Sequence, residues 1–143
     1  MKIICNTFIC FDTDGTLKTP EMENEGEYVK GVIDVSILEY LWNNKIAISI
    51  VSESPFYPKT EKGEPRFHVH CGKSRAENLI DATKCYIEYI GEEPNLKLYA
   101  SDNGDWKEAE KAGFIYIDAK MFANGFKKKW VNNILGNGIF LKD

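Results

Sequence analysis

The sequence predicts an α/β fold built on a mainly parallel five-stranded sheet. Short β-rich runs alternate with segments whose apolar residues recur at helical spacing, which is typical of strand–helix–strand units. The first run, residues 8–11, is mostly apolar, as expected of a strand covered on both faces. Crossovers between such strands are right-handed, and ligands bind beyond the carboxyl ends of the strands. Polar residues that follow the strands should therefore gather at one edge of the sheet.

The individual elements follow from the spacing of the apolar residues and from the signals that end each run. The predicted strands span residues 7–12, 46–51, 67–71, 96–100 and 114–118. The predicted helices span residues 32–44, 74–89, 106–112 and 119–135. Ser74 and Glu77 have the S-x-x-E spacing of a capping box, which marks the start of the second helix. Gly113 follows the third helix at the position where glycine most often ends a helix.

The composition predicts a single soluble domain over residues 1–143. Of the 143 residues, 43% are hydrophobic and 28% are charged, which is enough for one buried core. No apolar run approaches the ~18 residues of a membrane span, so no membrane partner is expected. The net charge of −4 gives no basic surface, so nucleic acid is not a favoured partner. Four cysteines without CxxC spacing are expected to be reduced thiols, which suits a cytoplasmic protein.

The stretch DTDGT, residues 12–16, carries the strongest functional signal. Asp12 and Asp14 stand at the exit of one strand, where two carboxylates repel each other. A structural turn before Gly15 needs only one of these acids. A cation between them would remove the repulsion, so the pair indicates a metal-assisted phosphoryl site. The alternative is an Asp-rich turn with no chemical role.

Three further polar residues fall just after predicted strands or at a strand-to-helix junction. They are Ser52, Lys73 and Asp102. Because the carboxyl ends of parallel strands share one edge of a sheet, these side chains are expected to converge on Asp12. The convergence predicts a hydroxyl, a cation and a second acid around the first carboxylate.

The order of these motifs resembles that of the haloacid dehalogenase-like (HAD) hydrolase superfamily. DTDGT matches the DxDGT signature of that superfamily, and Ser52, Lys73 and the acidic turn 102–105 follow in the same order. The resemblance covers residues 7–118. It implies a three-layer α/β/α sandwich with a Rossmann-like sheet, and a Mg²⁺-dependent phosphatase. One departure is Ser101, which stands where the family pattern usually has Gly.

The resemblance implies a role for each acid. Asp12 attacks the phosphorus of a phosphomonoester and forms an aspartyl-phosphate. Asp14 protonates the leaving oxygen and later activates water. Mg²⁺ is held by the side chains of Asp12 and Asp102 and by the backbone carbonyl of Asp14. Asp105 holds a metal-bound water or caps the helix that follows.

The resemblance also implies contacts to the substrate phosphate. Ser52 donates a hydrogen bond to the transferring group, and Lys73 balances its charge. Lys84 and Arg75 are the alternatives for this cation. Neighbouring groups complete the phosphate contacts, and they are assigned to Gly15, Thr16 and Glu53.

Short gaps flank the second predicted strand. Residues 18–31 suit a small flap and residues 53–66 a short insertion, so no separate cap domain is expected. A site without a cap must exclude water in another way, through packing in a homo-oligomer or docking of a large substrate. The expected substrate is a phosphorylated small molecule or macromolecule.

Two other functions are compatible with the same residues. One is a catalytically weak HAD-like binding or regulatory domain that retains metal and phosphate binding. The other is a receiver-like phospho-acceptor domain, which also uses an acidic pocket, Mg²⁺, Ser or Thr, and Lys. The DxDGT order argues against the receiver, because an acid two residues after the nucleophile promotes hydrolysis of the phosphoenzyme rather than its storage.

Overall fold

The computed structural model describes residues 2–3, 7–18, 31–44, 46–52, 68–125 and 141–142. The strands are β1 (Lys2–Ile3), β2 (Thr7–Phe11), β3 (Leu17–Lys18), β4 (Ile33–Asp34), β5 (Ala47–Val51), β6 (Val69–His70), β7 (Leu96–Ser101), β8 (Ile115–Asp118) and β9 (Leu141–Lys142). The helices are α1 (Val35–Asn43), α2 (Arg75–Ile90), α3 (Trp106–Lys111) and α4 (Ala119–Gly125).

The main sheet has five strands in the order β6-β5-β2-β7-β8, and every neighbouring pair is parallel. This confirms the predicted α/β fold with its five-stranded parallel sheet. Strand β2 lies at the centre, where Phe11 pairs with Ile50 on one side and with Ala100 on the other. The carboxyl ends of β2, β5 and β7 therefore stop level with one another, which brings the residues after them together.

Alternate residues of β2 contribute to two different core clusters. Ile9 and Phe11 pack with residues of α1 and α4, and the ring of Phe11 lies 5.3 Å from that of Phe122. Phe8 and Cys10 pack with residues of α2 and α3. All five residues of the strand are buried. Cover on both sides explains why this run is mostly apolar rather than alternating.

The first predicted helix and the third predicted strand differ most from the observed elements. Ile33 and Asp34, expected in the first helix, form β4 and pair with β3. The Asp34 side chain accepts a hydrogen bond from the Ser36 N–H (2.9 Å), so α1 begins at Val35 rather than at residue 32. Only Val69–His70 of the predicted strand 67–71 is a strand; residue 67 lies outside the described residues. The predicted last helix is described as far as Gly125, and residues 126–135 lie outside the description.

The predicted flap is described only at its two ends. Gly31 donates its N–H to the Leu17 carbonyl (2.9 Å), and a side chain at Gly31 would overlap the Thr16 backbone. Glycine at 31 therefore lets the returning chain lie directly against the DTDGT loop. Residues 19–30 and the predicted insertion 53–66 lie outside the described residues, so the expected lack of a cap domain stays a prediction.

Two expectations from composition concern the chain as a whole. Within the described residues, no helix is both long enough and apolar enough to cross a membrane. The cysteines of the described segments, Cys10, Cys71 and Cys85, carry free thiols.

Candidate functional site

Asp12 is the centre of the site and follows directly after β2. Its backbone N–H donates to the Ala100 carbonyl of β7 (3.1 Å), and the residue is only 5% exposed. One carboxylate oxygen, Oδ1, accepts from Arg75 Nη1 at 2.8 Å. The other, Oδ2, accepts from Asn103 Nδ2 at 3.2 Å and lies 3.5 Å from Ser101 Oγ. The start of α2 and the turn after β7 thus supply the polar groups around this carboxylate.

Burial raises the pKa of Asp12 above its ordinary value. The Arg75 guanidinium and the Thr13 N–H oppose this shift, whereas the nearby Asp102 carboxylate adds to it. The net direction means that the charged form of Asp12 is costly where it stands. A nucleophilic role requires the charged form, so Asp12 depends on positive charge at its side.

Arg75 supplies that positive charge. It is the first residue of α2 and is 8% exposed. Its Nη1 binds Asp12 and also donates to the Val51 carbonyl (3.3 Å), while its Nε lies 3.1 Å from Asp105 Oδ2. The guanidinium lies 6.0 Å from the centre of the Tyr99 ring. A planar, permanently charged group suits a site that must contact two carboxylates in fixed directions.

Lys73, predicted to be the site cation, points elsewhere in the structure. Its Nζ lies 2.7 Å from Asp81 Oδ2, its side chain is 54% exposed, and this hydrogen bond raises the pKa of Lys73. Lys84 is exposed on α2. Of the three cations that the sequence offered, Arg75 is therefore the one in contact with Asp12. A role for Lys73 at the substrate phosphate stays a prediction.

Asp102 contacts the DTDGT loop through Thr16. The Asp102 N–H donates to Thr16 Oγ1 (3.1 Å), and that hydroxyl donates to Asp102 Oδ1 (3.2 Å). Gly15 has φ +73° and lies so close that a Cβ there would overlap Asp102 Oδ2. The predicted convergence of the first and last acidic motifs is therefore present, although Asp102 hydrogen-bonds to Thr16 and not to Asp12.

Replacement of Gly15 by Ala should weaken both the fold and the site. A left-handed backbone costs a non-glycine residue roughly 1–2 kcal/mol, and the new methyl group would also push the Asp102 carboxylate away. Gly91→Ala is the matched control, because Gly91 has φ +87° with open space around it and lies at the far end of α2. Thermal denaturation should show a lower melting temperature for both variants, and the proposed activity should fall only in Gly15→Ala. Equal activity in the two variants would contradict this reading of Gly15.

Ser52 reaches the site through the residue that follows Asp12. Its hydroxyl lies 2.6 Å from Thr13 Oγ1, and both residues are buried. Ser52 follows β5, so the predicted placement of a hydroxyl beside the DTDGT loop is correct. Glu53, assigned to the phosphate contacts, lies outside the described residues. Asp14, two residues after the buried Asp12, is exposed.

The acids have the right chemistry for Mg²⁺, and several of their oxygens already have protein partners. Carboxylate oxygens are the ligands that Mg²⁺ prefers, and the Asp102 carboxylate lies close enough to Asp12 to help raise its pKa. Both oxygens of Asp12, however, have protein partners, and Asp105 pairs with Arg75. In the described segments, no three His, Cys, Asp or Glu side chains form a group that could hold a metal ion. The predicted site, however, uses two carboxylates and a backbone carbonyl, so Mg²⁺ binding stays a prediction.

Thr13 and Asn103 are site residues that were not predicted from the sequence. Thr13 occupies the variable position of DxDGT, and its buried hydroxyl bonds Ser52. Asn103 belongs to an Asp-Asn-Gly-Asp stretch, where Asn is an ordinary turn residue. The only available signal for Asn103 was its position between the two predicted acids.

Comparison of the chain with models of known protein families, with curated proteins and with solved structures finds no match.

Proposed function

We propose that the protein is a phosphatase of the HAD-like type, which hydrolyses a phosphomonoester through an aspartyl-phosphate on Asp12. The observation that carries the proposal is a buried carboxylate at the centre of the sheet's carboxyl edge, ion-paired to a buried guanidinium at 2.8 Å. Buried hydroxyls of Thr13 and Ser52 lie beside it. A parallel sheet with helices packed against it is compatible with the proposed three-layer α/β/α sandwich.

The proposed reaction has two steps. In the first, an oxygen of Asp12 attacks phosphorus, the bond from phosphorus to the leaving oxygen breaks, and Asp14 gives that oxygen a proton. In the second, Asp14 takes a proton from water and the water oxygen attacks phosphorus. The bond from phosphorus to the Asp12 oxygen breaks, so inorganic phosphate leaves and the Asp12 carboxylate is restored. The exposed position of Asp14 suits a group that must meet both the leaving group and solvent.

Arg75 would act in both steps without a proton transfer. It fixes the direction of Asp12 Oδ1 and provides positive charge where the phosphoryl oxygens would develop negative charge. Ser52 is proposed to donate to the same oxygens, with Thr13 as its hydroxyl partner. Substrates are proposed to be phosphorylated small molecules or macromolecules, and a homo-oligomer or a docked macromolecule would exclude water from the site.

Mg²⁺ remains the proposed cofactor, and its test is metal removal. Treatment with EDTA should abolish release of phosphate from an aryl phosphate, and added Mg²⁺ should restore it, because the ion would screen the charge of the phosphoryl group. The Asp102→Asn variant should need more Mg²⁺ for half-maximal activity, whereas Asp81→Asn, which alters an exposed ion pair, should need the same amount. Full activity in EDTA would show that the site works without the metal.

A second candidate function is a domain that binds phosphate or metal without turnover. One observation favours it: both oxygens of Asp12 already have protein partners, Arg75 and Asn103. Isothermal titration with tungstate, together with a turnover screen over phosphorylated metabolites, peptides and oligonucleotides, separates the two. Tight binding with no turnover on any of these substrates would favour the binding domain.

A further inference from the structure

We infer that Tyr116 is a positioning residue of this site, whose hydroxyl holds the turn 101–105 so that Asn103 reaches Asp12. The catalytic consequence of this inference rests on the proposed phosphatase function. The positioning itself rests only on contacts between described residues and can be measured without substrate.

The Tyr116 hydroxyl makes two hydrogen bonds, and both go to the backbone of this turn. It donates to the Ser101 carbonyl (2.9 Å) and accepts from the Gly104 N–H (2.9 Å). Ser101 is the last residue of β7, and Gly104 lies on the far side of the turn with φ +73°. One side chain from the neighbouring strand β8 therefore connects the beginning of the turn to its end.

The inner side of the same turn faces Asp12. Asn103 donates from Nδ2 to Asp12 Oδ2 (3.2 Å), and its Oδ1 accepts from Ser101 Oγ and from the Asp105 N–H (3.3 Å). Asp105 in turn pairs with Arg75. Asn103 is exposed, so burial does not fix its side chain. Its direction is set by hydrogen bonds from groups of the same turn, and the backbone of that turn is held from outside by Tyr116.

The protonation of Tyr116 suits this role. Burial raises the pKa of the Tyr116 hydroxyl; the Gly104 N–H opposes this, and the charges of Asp118, Asp102 and Asp105 add to it. The hydroxyl therefore keeps its proton at neutral pH and can donate to the Ser101 carbonyl. The ring also contacts that of Tyr99, with 6.4 Å between the ring centres, and Tyr116→Phe keeps this contact.

The test removes only the hydroxyl, in Tyr116→Phe. Amide hydrogen exchange at Gly104 should become faster, and kcat/KM for an aryl phosphate should fall about 10- to 100-fold, because Asp12 loses a fixed hydrogen-bond partner. Most of the loss should appear in kcat rather than KM. Tyr89→Phe is the control, since Tyr89 is an exposed tyrosine at the C-terminal end of α2, away from Arg75. This variant should match the wild type in exchange and in activity.

A double-mutant cycle separates positioning from general stability. If Tyr116 acts through Asn103, then Asn103→Ala combined with Tyr116→Phe should lose no more activity than Asn103→Ala alone. Additive losses, or wild-type exchange at Gly104 in Tyr116→Phe, would overturn the inference. So would a variant that melts at a lower temperature but keeps its kcat. If the wild type hydrolyses no phosphomonoester, the proposed function fails, and exchange at Gly104 still decides the role of Tyr116.

Discussion

Asp12→Asn should lower phosphatase turnover at least about 10⁴-fold, the scale of loss seen when a catalytic nucleophile is removed. An amide cannot form the aspartyl-phosphate, although it occupies nearly the same volume as the carboxylate. The measurement is release of phosphate from an aryl phosphate in Mg²⁺, alongside a search for the phosphoenzyme by mass spectrometry after acid quenching. The wild type should gain the mass of one phosphoryl group on the peptide that contains residue 12, and the variant should not.

The fold should survive this substitution. Burial already favours an uncharged side chain at position 12, as the raised pKa of Asp12 indicates, and an amide oxygen can still accept from Arg75. Asp81→Asn is the matched control, because it removes a carboxylate from an exposed ion pair on α2 and should leave turnover unchanged. Retained turnover in a folded Asp12→Asn protein would rule out the aspartyl-phosphate mechanism.

The position of Asp12 could be predicted because its causes are local. A mostly apolar run ends at Phe11, polar residues follow, and a buried parallel strand places whatever follows it at the carboxyl edge. The same reasoning placed Ser52 and Asp102 near the DTDGT loop. The level strand ends that bring these residues together come from the pairing register of β2 with β5 and β7. The exact register was not predicted. The parallel order of the strands was enough to predict that the residues after them lie at the same edge of the sheet.

The identity of the site cation could not be predicted from strand ends alone. Lys73 and Arg75 are two residues apart, and which one faces Asp12 depends on where α2 begins. Ser74 caps the helix, so Lys73 lies outside it and extends along its outer surface to Asp81. Arg75 instead begins the buried stripe of the helix, whose further members lie four and seven residues on, at Leu79 and Ala82. That helical spacing was the available signal, and a charged residue on it needs a buried partner.

Arg75→Ala should destabilise the fold by about 3–5 kcal/mol, the usual cost of leaving one charge of a buried ion pair without its partner. It should also remove the proposed activity, since no other described cation contacts Asp12. Arg75→Lys keeps the charge but not the planar fork, so it should recover only part of each loss. Lys73→Ala is the control that the chain itself offers. Its side chain is exposed and its partner is Asp81, so the melting temperature and activity should change little.

The pH dependence of stability tests whether Asp12 is the reason for the Arg75→Ala loss. Burial places the pKa of Asp12 above its value in the unfolded chain, and removal of the guanidinium raises it further. As the pH falls through this raised pKa, the folded variant takes up a proton and no longer buries an uncompensated charge. The difference in unfolding free energy between wild type and Arg75→Ala, measured in urea, should therefore be largest at neutral pH and shrink at acidic pH. A difference that stays constant with pH would mean that Arg75 stabilises the protein through packing rather than through Asp12. If Lys73→Ala loses as much activity as Arg75→Ala, the role of the site cation would return to Lys73.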